Sequence, residues 1–242
     1  IPDLSEDEDF VKSNVTSAWK SIARDFSAPS RLSKIINVVS ALVAVSRLKE
    51  IQVLRGFKRL GGAPIPPDII GKSNWLPAIE LYGEGIFFVL DEKVLTSWEE
   101  TEELQKRANE IDRRYSQSGM KFENEIQISP RLLFLHTLSH LLIRRLETEA
   151  GYPSASLKER IYCTSGGIPM AGILVYVAVP DIVGSLGGLV ELAEPQRFLK
   201  LLSNVFDHAE WCSHDPVCSE HEGQGQNLLN RAACHACALI PE

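Results

Sequence analysis

The sequence is poor in cysteine and aromatic residues, and it contains no long apolar run. Its 242 residues include 5 cysteines, and aromatic side chains make up 7%, so the dense disulfide framework of small secreted proteins is not expected. The longest apolar stretch covers residues 168–180, which is shorter than the roughly 20 residues that a membrane-spanning helix needs. Nothing at the start resembles a signal peptide. We therefore expect a soluble, cytoplasmic protein with no membrane partner.

Basic residues are in the minority. Lys and Arg number 25 against 32 Asp and Glu, which gives a net charge of −7. A chain with this charge does not coat nucleic acid by bulk attraction, so any contact with DNA is expected to be local. An apolar fraction of 44% can fill a genuine core at this length. Because the sequence begins with Ile1 rather than methionine, we expect it to be part of a longer polypeptide.

Apolar periodicity and helix-breaking residues predict an α+β fold, with an irregular mixed sheet, packed helices and a C-terminal four-cysteine segment. Helices and strands alternate without the regular βαβ rhythm of a doubly wound sheet. Helices are predicted over residues 10–24, 30–48, 94–115, 130–150 and 186–210. Strands are predicted over residues 50–60, 159–163 and 170–180, and a β-hairpin over residues 75–92 with its turn at Gly83, Glu84 and Gly85.

Three regions follow from this pattern: an N-terminal helical segment (1–47), the α+β core (48–210) and a zinc-binding tail (211–242). Within the core, the helix at 130–150 is apolar almost all round and is expected to be buried, with Ser129 as its cap and Gly151 at its end. The helix at 94–115 is amphipathic. Its polar face carries three oppositely charged pairs four residues apart: Glu102 with Lys106, Glu103 with Arg107, and Glu110 with Arg114.

The tail holds four of the five cysteines. Cys212, Cys218, Cys234 and Cys237 have the spacing C-x5-C-x15-C-x2-C, and a tetrahedral Zn²⁺ site commonly takes two thiolates from each of two short loops. Four cysteines fill the coordination shell, so such a metal stabilises the fold rather than catalyses. Disulfides or a redox pair are the alternatives, although neither an oxidising compartment nor a thioredoxin-like context is indicated. Nearby histidines that could replace one cysteine are His208, His214, His221 and His235.

Two further groups carry weaker signals. His136 and His140 lie four apart on one helical face and form a polar stripe with Arg144 and Glu147; a metalloprotease motif would need Glu in place of Thr137. Buried side chains bonded to neighbouring backbone are the favoured interpretation, with a ligand or nucleic-acid site as the alternative. The glycine-rich stretch 180–190 is interpreted as a structural turn rather than a phosphate-binding loop.

Small basic clusters also occur. Arg144 and Arg145 are interpreted as surface residues or members of ion pairs, and Arg55, Lys58 and Arg59 are treated as weak candidates for phosphate contact with DNA. Cys163, which lies far from the cysteine tail, is expected to be a small buried residue.

Four stretches, at residues 76–92, 136–162, 170–190 and 211–242, resemble the MrfA-type zinc-binding (MZB) C-terminal domain family of helicase-associated proteins. Within it, the chain looks most like an accessory subunit of the bacterial DISARM anti-phage system. The resemblance implies that Cys212, Cys218, Cys234 and Cys237 bind Zn²⁺, and that the chain is a non-catalytic partner of an SNF2-like DNA helicase (DrmA-like) that helps bind foreign DNA.

Two other functions stay open. The same domain could be the regulatory C-terminal module of a DNA repair helicase, in which case helicase motifs would precede Ile1 in the same gene. A hydrolase or nuclease would instead use His136, His140 and the glycine turn, and it requires a cleft in which the histidines meet an acidic residue.

Overall fold

A five-stranded sheet forms the centre of the structure. The computed structural model describes residues 9–22, 25, 30–58, 62–63, 65–68, 70–119, 127–164, 168–179, 187–231, 234 and 236–238. The strands are β1 (Phe10–Asn14), β2 (Val39–Val53), β3 (Ala78–Leu90), β4 (Leu157–Thr164) and β5 (Met170–Val179). They lie in the order β1-β2-β3-β5-β4. All four pairings are antiparallel, so the α+β class is confirmed, but the sheet is antiparallel rather than mixed.

Helices cover one face of this sheet. In the described part of the chain they are α1 (Thr16–Ile22), α2 (Arg31–Val38), α3 (Glu92–Glu99), α4 (Glu102–Gln117), α5 (Pro130–Ala150), α6 (Gly188–Leu192), α7 (Pro195–Ala209) and α8 (Val217–Glu220). Single 3₁₀ turns occupy Ser154–Ser156 and Gln226–Leu228. Among the described helices, none has the length and apolar character needed to cross a bilayer.

Alternation along the strands divides the apolar residues between two faces. On β5, Ile173 and Val175 belong to the main core against the helices, whereas Leu174 and Tyr176 belong to a smaller cluster on the other face. This is the two-residue period of a strand. In the main core, the ring of Phe198 on α7 packs against Phe88 of β3 at 5.3 Å and against Trp19 of α1 at 5.6 Å between ring centroids. The sheet thus supports the helical layer that positions the cysteine tail.

Helix α5 matches its prediction. The hydroxyl of Ser129 accepts a hydrogen bond from the backbone N–H of Leu132 at 3.2 Å, and Pro130 opens the helix. Gly151 ends it with a φ of 75°, a left-handed conformation that glycine adopts without steric cost. The predicted strands at 159–163 and 170–180 and the helices at 186–210 are confirmed as β4, β5, α6 and α7.

The helix predicted over residues 30–48 is wrong in its second half. Helix α2 ends at Val38, and β2 continues directly from Val39. Pairing with β1 on one side and β3 on the other favours the extended chain for this Val-rich segment over local helix propensity. Trp19 fixes the junction, because its indole N–H donates to the carbonyls of Ile36 and Val39.

The helix predicted over residues 10–24 is also corrected. Its first half is strand β1, which pairs with β2, and among the described residues of this range only Thr16–Ile22 is helical. The predicted 94–115 helix is two helices, α3 and α4, and the predicted strand at 50–60 ends at Val53. Strand β2 runs across residue 48, where the core region was predicted to begin.

The hairpin predicted at residues 75–92 is absent, because β3 runs without a turn from Ala78 to Leu90. Its two glycines serve close approach rather than chain reversal. A Cβ added at Gly83 would come within 1.6 Å of the carbonyl oxygen of Val177, and one at Gly85 within 2.7 Å of that of Val175. Glycine is therefore needed where β3 and β5 lie unusually close together.

Candidate metal centre

The four tail cysteines form one compact cluster. Sγ of Cys212 lies 3.5 Å from that of Cys234, and Sγ of Cys218 lies 3.6 Å from that of Cys237. The sulfurs of Cys234 and Cys237 are 3.7 Å apart. Zinc–sulfur bonds of about 2.3 Å at tetrahedral angles place sulfurs about 3.8 Å apart, whereas a disulfide requires about 2.05 Å. None of the five cysteines forms a disulfide, and the spacing of the four tail cysteines fits a tetrahedral metal site.

Local backbone geometry turns each cysteine pair inward. The carboxylate of Asp215 accepts from the N–H of Cys212 at 3.2 Å and from the N–H of Ser219 at 3.1 Å, so it closes the first loop from within. In the second loop, the N–H of Ala236 donates to Sγ of Cys234 at 3.3 Å, and the N–H of Cys234 donates to Sγ of Cys237 at 3.2 Å. Backbone donors of this kind stabilise thiolates.

The thiols of Cys234 and Cys218 have very different pKa values. Burial opposes the thiolate of Cys234, but the N–H of Ala236 and the thiol of Cys212 outweigh burial and lower the pKa of Cys234 to about 6. Burial, together with contact with Cys237 and Cys234, raises the pKa of Cys218 to about 12. A bound divalent cation would take all four sulfurs as thiolates and release the remaining protons.

Helix α5 holds the second cysteine loop. Arg144 donates through Nη2 to the carbonyl of Ala236 at 3.0 Å, and Nδ1 of His140 lies 3.1 Å from the carbonyl oxygen of Ala238. A carbonyl oxygen only accepts, so Nδ1 of His140 carries the proton. The polar stripe seen in the sequence is thus satisfied in part by the tail itself.

Helix α4 holds the excursion between the two loops. Nη1 of Arg114 donates to the carbonyls of Glu222 and Leu228, each at 2.7 Å, and Arg107 donates to the carbonyl of Arg231 at 3.2 Å. Arg231 in turn pairs with Glu110. The predicted Glu110–Arg114 pair is confirmed. Sequence reasoning assigned Arg107 and Arg114 to pairs within the helix and missed their contacts with the tail, because no local pattern marks a bond to a backbone carbonyl more than 100 residues away.

A surface cleft of about 220 Å³ adjoins the cysteine cluster. Arg144 and Arg145 of α5, His208 of α7 and the exposed indole of Trp211 line it. Arg145 forms an ion pair with Glu149 at 2.7 Å and approaches His208 at 3.3 Å, which confirms its interpretation as a member of an ion pair.

The other predicted residues lie apart from the cluster or at its rim. Nδ1 of His214 is 4.0 Å from Sγ of Cys234 and does not replace a cysteine, while His235 lies outside the described residues. Cys163 is half-buried in β4. Arg55 and Lys58 are exposed beyond the end of β2, and Arg59 lies outside the described residues, as do residues 180–186 of the glycine-rich stretch.

The predicted histidine pair meets an acidic residue. Nε2 of His136 lies 3.1 Å and Nε2 of His140 3.7 Å from the same carboxylate oxygen of Glu159 on β4. Burial raises the pKa of Glu159, but hydrogen bonds from His136, His140 and Ser139 outweigh burial and lower it to about 2. The stripe is therefore bonded to a strand carboxylate as well as to the tail backbone.

Residues 138–238 match the family model of MZB, the MrfA Zn-binding domain. The match begins at Leu138 inside α5, continues through β4, β5, α6 and α7, and includes all four tail cysteines, so the resemblance of these residues to the MZB family is confirmed.

The chain is also similar to the DISARM protein DrmB of Bacillus paralicheniformis. The two are 40% identical over 216 residues, which cover 83% of this chain and 37% of the relative. The chain thus spans 37% of the length of that relative. The family match supports a zinc-binding role for residues 138–238.

Proposed function

We propose that this chain is a non-catalytic, zinc-binding accessory module that acts with an SNF2-like DNA helicase (DrmA-like) and helps hold foreign DNA in anti-phage defence. The observation that carries the proposal is the closed cluster of Cys212, Cys218, Cys234 and Cys237, whose sulfur spacing suits Zn²⁺. Four sulfur ligands leave no position for water or substrate, so the ion has a structural role. Because its proposed partners are a helicase and DNA, the protein would act in the bacterial cytoplasm.

The metal would fix the tail against the two helices that already contact it. The second cysteine loop is hydrogen-bonded to α5, and the excursion is hydrogen-bonded to α4. These contacts do not join the two cysteine loops to each other. Zinc bonds supply the cross-link, because a structural zinc site adds its binding free energy to folding.

We assign helicase docking to the β2–β3 ribbon, defined as residues 51–58 and 75–80. Its strands pair as Ile51 with Glu80 and Val53 with Ala78, and its apolar side chains are exposed: Ile51, Val53, Leu54, Phe57, Trp75, Leu76 and Ile79. Exposed apolar side chains concentrated on one short ribbon are typical of protein interaction surfaces. Trp75 is of a residue type that often dominates binding energy, and Phe57 is of an aromatic type enriched at interfaces.

The weak DNA candidates lie on the same ribbon. Arg55 and Lys58 are exposed between its apolar residues, so a helicase docked there would bring its DNA close to both cations. Such contacts bind phosphate without reading sequence, and they weaken as salt rises.

A second candidate function is a regulatory module in cis of a DNA repair helicase. The observation that favours it is the match to the MrfA Zn-binding domain itself. The two candidates differ in the gene: helicase motifs upstream in the same reading frame indicate repair, and a separate neighbouring helicase gene indicates DISARM.

The test uses the full-length protein, elemental analysis and a pull-down with the neighbouring helicase before and after chelation. We expect about one zinc that depends on the tail cysteines, and binding that is lost on chelation. The Cys237→Ser variant should lose this zinc, whereas Cys163→Ser, with its thiol in β4, should retain it. Equal zinc in the two variants would overturn the metal assignment.

The ribbon is tested separately. Trp75→Asp should abolish the pull-down, whereas Ile168→Asp, at an even more exposed apolar position in the β4–β5 connection, should not. For DNA, the double variant Arg55→Glu and Lys58→Glu should reduce the slope of log affinity against log salt by about 2. The control Lys20→Glu and Lys93→Glu should leave the slope unchanged, and an unchanged slope in the ribbon variant rejects the DNA contact.

A further inference from the structure

A second group of metal-ligating side chains lies outside the cysteine cluster. His136 and His140 project from α5 towards Glu159 on β4, and one ligand atom from each lies within 4.8 Å of the others. We propose that His136, His140 and Glu159 form a second divalent-metal site, whose ion is zinc. None of its ligands is one of the four tail cysteines. The proposal of this second site does not depend on the function proposed above.

The donor set suits this ion. Histidines four residues apart on a helix point in the same direction, and a strand packed against that face provides the third ligand from Glu159. Two imidazoles and one carboxylate are a common zinc ligand set in which three protein donors leave an open position. The side chain of His136 is 45% exposed, so water can reach that position.

Neighbouring groups orient each ligand. The Nδ1–H of His140 donates to the carbonyl of Ala238 at 3.1 Å, which turns Nε2 towards Glu159. Ser139 contacts the other carboxylate oxygen of Glu159, so that Oε1 faces both imidazoles. Hydrogen bonds of this kind, from the far nitrogen of a histidine to a carbonyl, recur around metal-ligating histidines.

Charge balance favours the binding of a metal ion over protonation of both His136 and His140. The imidazole rings of His136 and His140 meet edge to face with centroids 4.3 Å apart. Protonating both would place two positive charges at that separation opposite a single carboxylate. A divalent cation with two neutral imidazoles and Glu159 supplies charge to the carboxylate without that repulsion.

The first experiment measures metal stoichiometry of the full-length protein by equilibrium dialysis against Zn²⁺ and elemental analysis. We expect two zinc ions per chain in the wild type and one in His136→Ala. His136 is half-exposed, so this change should leave the fold intact, and circular dichroism checks that it does. One ion in the wild type, or two in His136→Ala, overturns the proposal.

A spectroscopic experiment separates the two sites. Co²⁺ bound to thiolates gives strong sulfur-to-metal charge-transfer absorption, and Co²⁺ bound to nitrogen and oxygen does not. After the thiolate bands have saturated, a further Co²⁺ should bind with absorption typical of nitrogen and oxygen ligands. Glu159→Gln should weaken this second step at least tenfold and leave the thiolate bands unchanged.

The matched control is Glu147→Gln, on the exposed side of the same helix, for which we expect wild-type binding in both steps. Equal affinity of Glu159→Gln and Glu147→Gln for the second ion contradicts the assignment. Loss of the thiolate bands in the wild type would instead refute the cysteine site while leaving the second step measurable, so the two proposals fail in distinguishable ways.

Discussion

Arg144 reaches from the middle of α5 to the carbonyl oxygen of Ala236, at 3.0 Å. Ala236 lies between Cys234 and Cys237, and its own N–H donates to the sulfur of Cys234. One guanidinium therefore positions the peptide that orients a sulfur of the proposed metal site. Groups that act on a metal through its ligands commonly change metal affinity by about 10–100-fold.

We predict that Arg144→Met speeds the loss of zinc to a chelator about tenfold, because the side chain keeps its apolar stem but no longer holds the cysteine loop. Zinc release can be followed with a chromogenic chelator. Arg145→Met removes a neighbouring cation that pairs with Glu149 instead and should release zinc at the wild-type rate. Identical rates for the two variants would show that Arg144 does not position the loop.

The excursion between the cysteine loops should become protease-sensitive in Arg114→Met. This change removes both hydrogen bonds to the carbonyls of Glu222 and Leu228, so local opening should expose the backbone. Limited digestion with a glutamate-specific protease measures cleavage after Glu220 and Glu222. Arg113→Met, whose side chain is exposed on the same helix, should be cleaved no faster than the wild type.

Gly83→Ala should destabilise the fold by at least about 3 kcal/mol, because the added methyl group would overlap the carbonyl of Val177 at 1.6 Å. Gly119→Ala is the control, since its φ of 71° strains alanine but nothing crowds it. That strain costs about 1 kcal/mol. Urea unfolding measures both, and equal losses would mean that β3 and β5 can separate to admit the methyl group.

Arg131→Met should cost about 3–5 kcal/mol. Only 2% of the Arg131 side chain is exposed, and it donates to Glu99 at 2.7 Å and to Glu92 at 2.5 Å. Its removal leaves the carboxylates of Glu92 and Glu99 without their cation. Arg197→Met breaks an exposed pair with Glu191 and should cost less than about 1 kcal/mol, as measured by the same unfolding experiment.

Two tyrosines, one buried and one half-buried, should make the fold sensitive to alkali. Burial and a hydrogen bond to Glu50 raise the pKa of Tyr176 to about 12, and burial with a hydrogen bond to Glu84 does the same for Tyr152. A folded-state pKa above the unfolded value of 10.0 stabilises the fold fully below pH 10. This contribution is lost as pH rises towards 12.

The measurement is the free energy of unfolding between pH 9 and pH 12, together with an ultraviolet titration of the phenols. The free energy of unfolding of Tyr176→Phe should fall less steeply with pH than that of the wild type. The ultraviolet titration of this variant should show one fewer phenol that ionises at high pH. Parallel curves for the two proteins would contradict the assigned cause.

Sequence patterns predicted the elements whose signals are local. Ser129, Pro130 and Gly151 mark both ends of α5 because caps act on the adjacent backbone. The spacing of Cys212, Cys218, Cys234 and Cys237 likewise indicated one cluster, and the structure brings their sulfurs together.

Elements that depend on distant partners were not predictable. Residues 39–48 have helical periodicity, yet β1 and β3 recruit them into a strand. Gly83 looks like a turn residue until β5, about 95 positions later, is known to lie against it. For the same reason the sequence showed the polar stripe on α5 but could not name Glu159, Ala236 or Ala238 as its partners.

The strand order has a consequence for where this protein can be divided. The stretch recognised by family similarity, residues 138–238, begins inside α5 and contains β4 and β5. Strand β5 pairs on its other side with β3, from Tyr82 opposite Val179 to Val89 opposite Gly172, and β3 lies outside the match. An excised fragment would therefore present a bare apolar strand edge, which invites aggregation. The stretch that the family model matches is therefore smaller than the unit that folds.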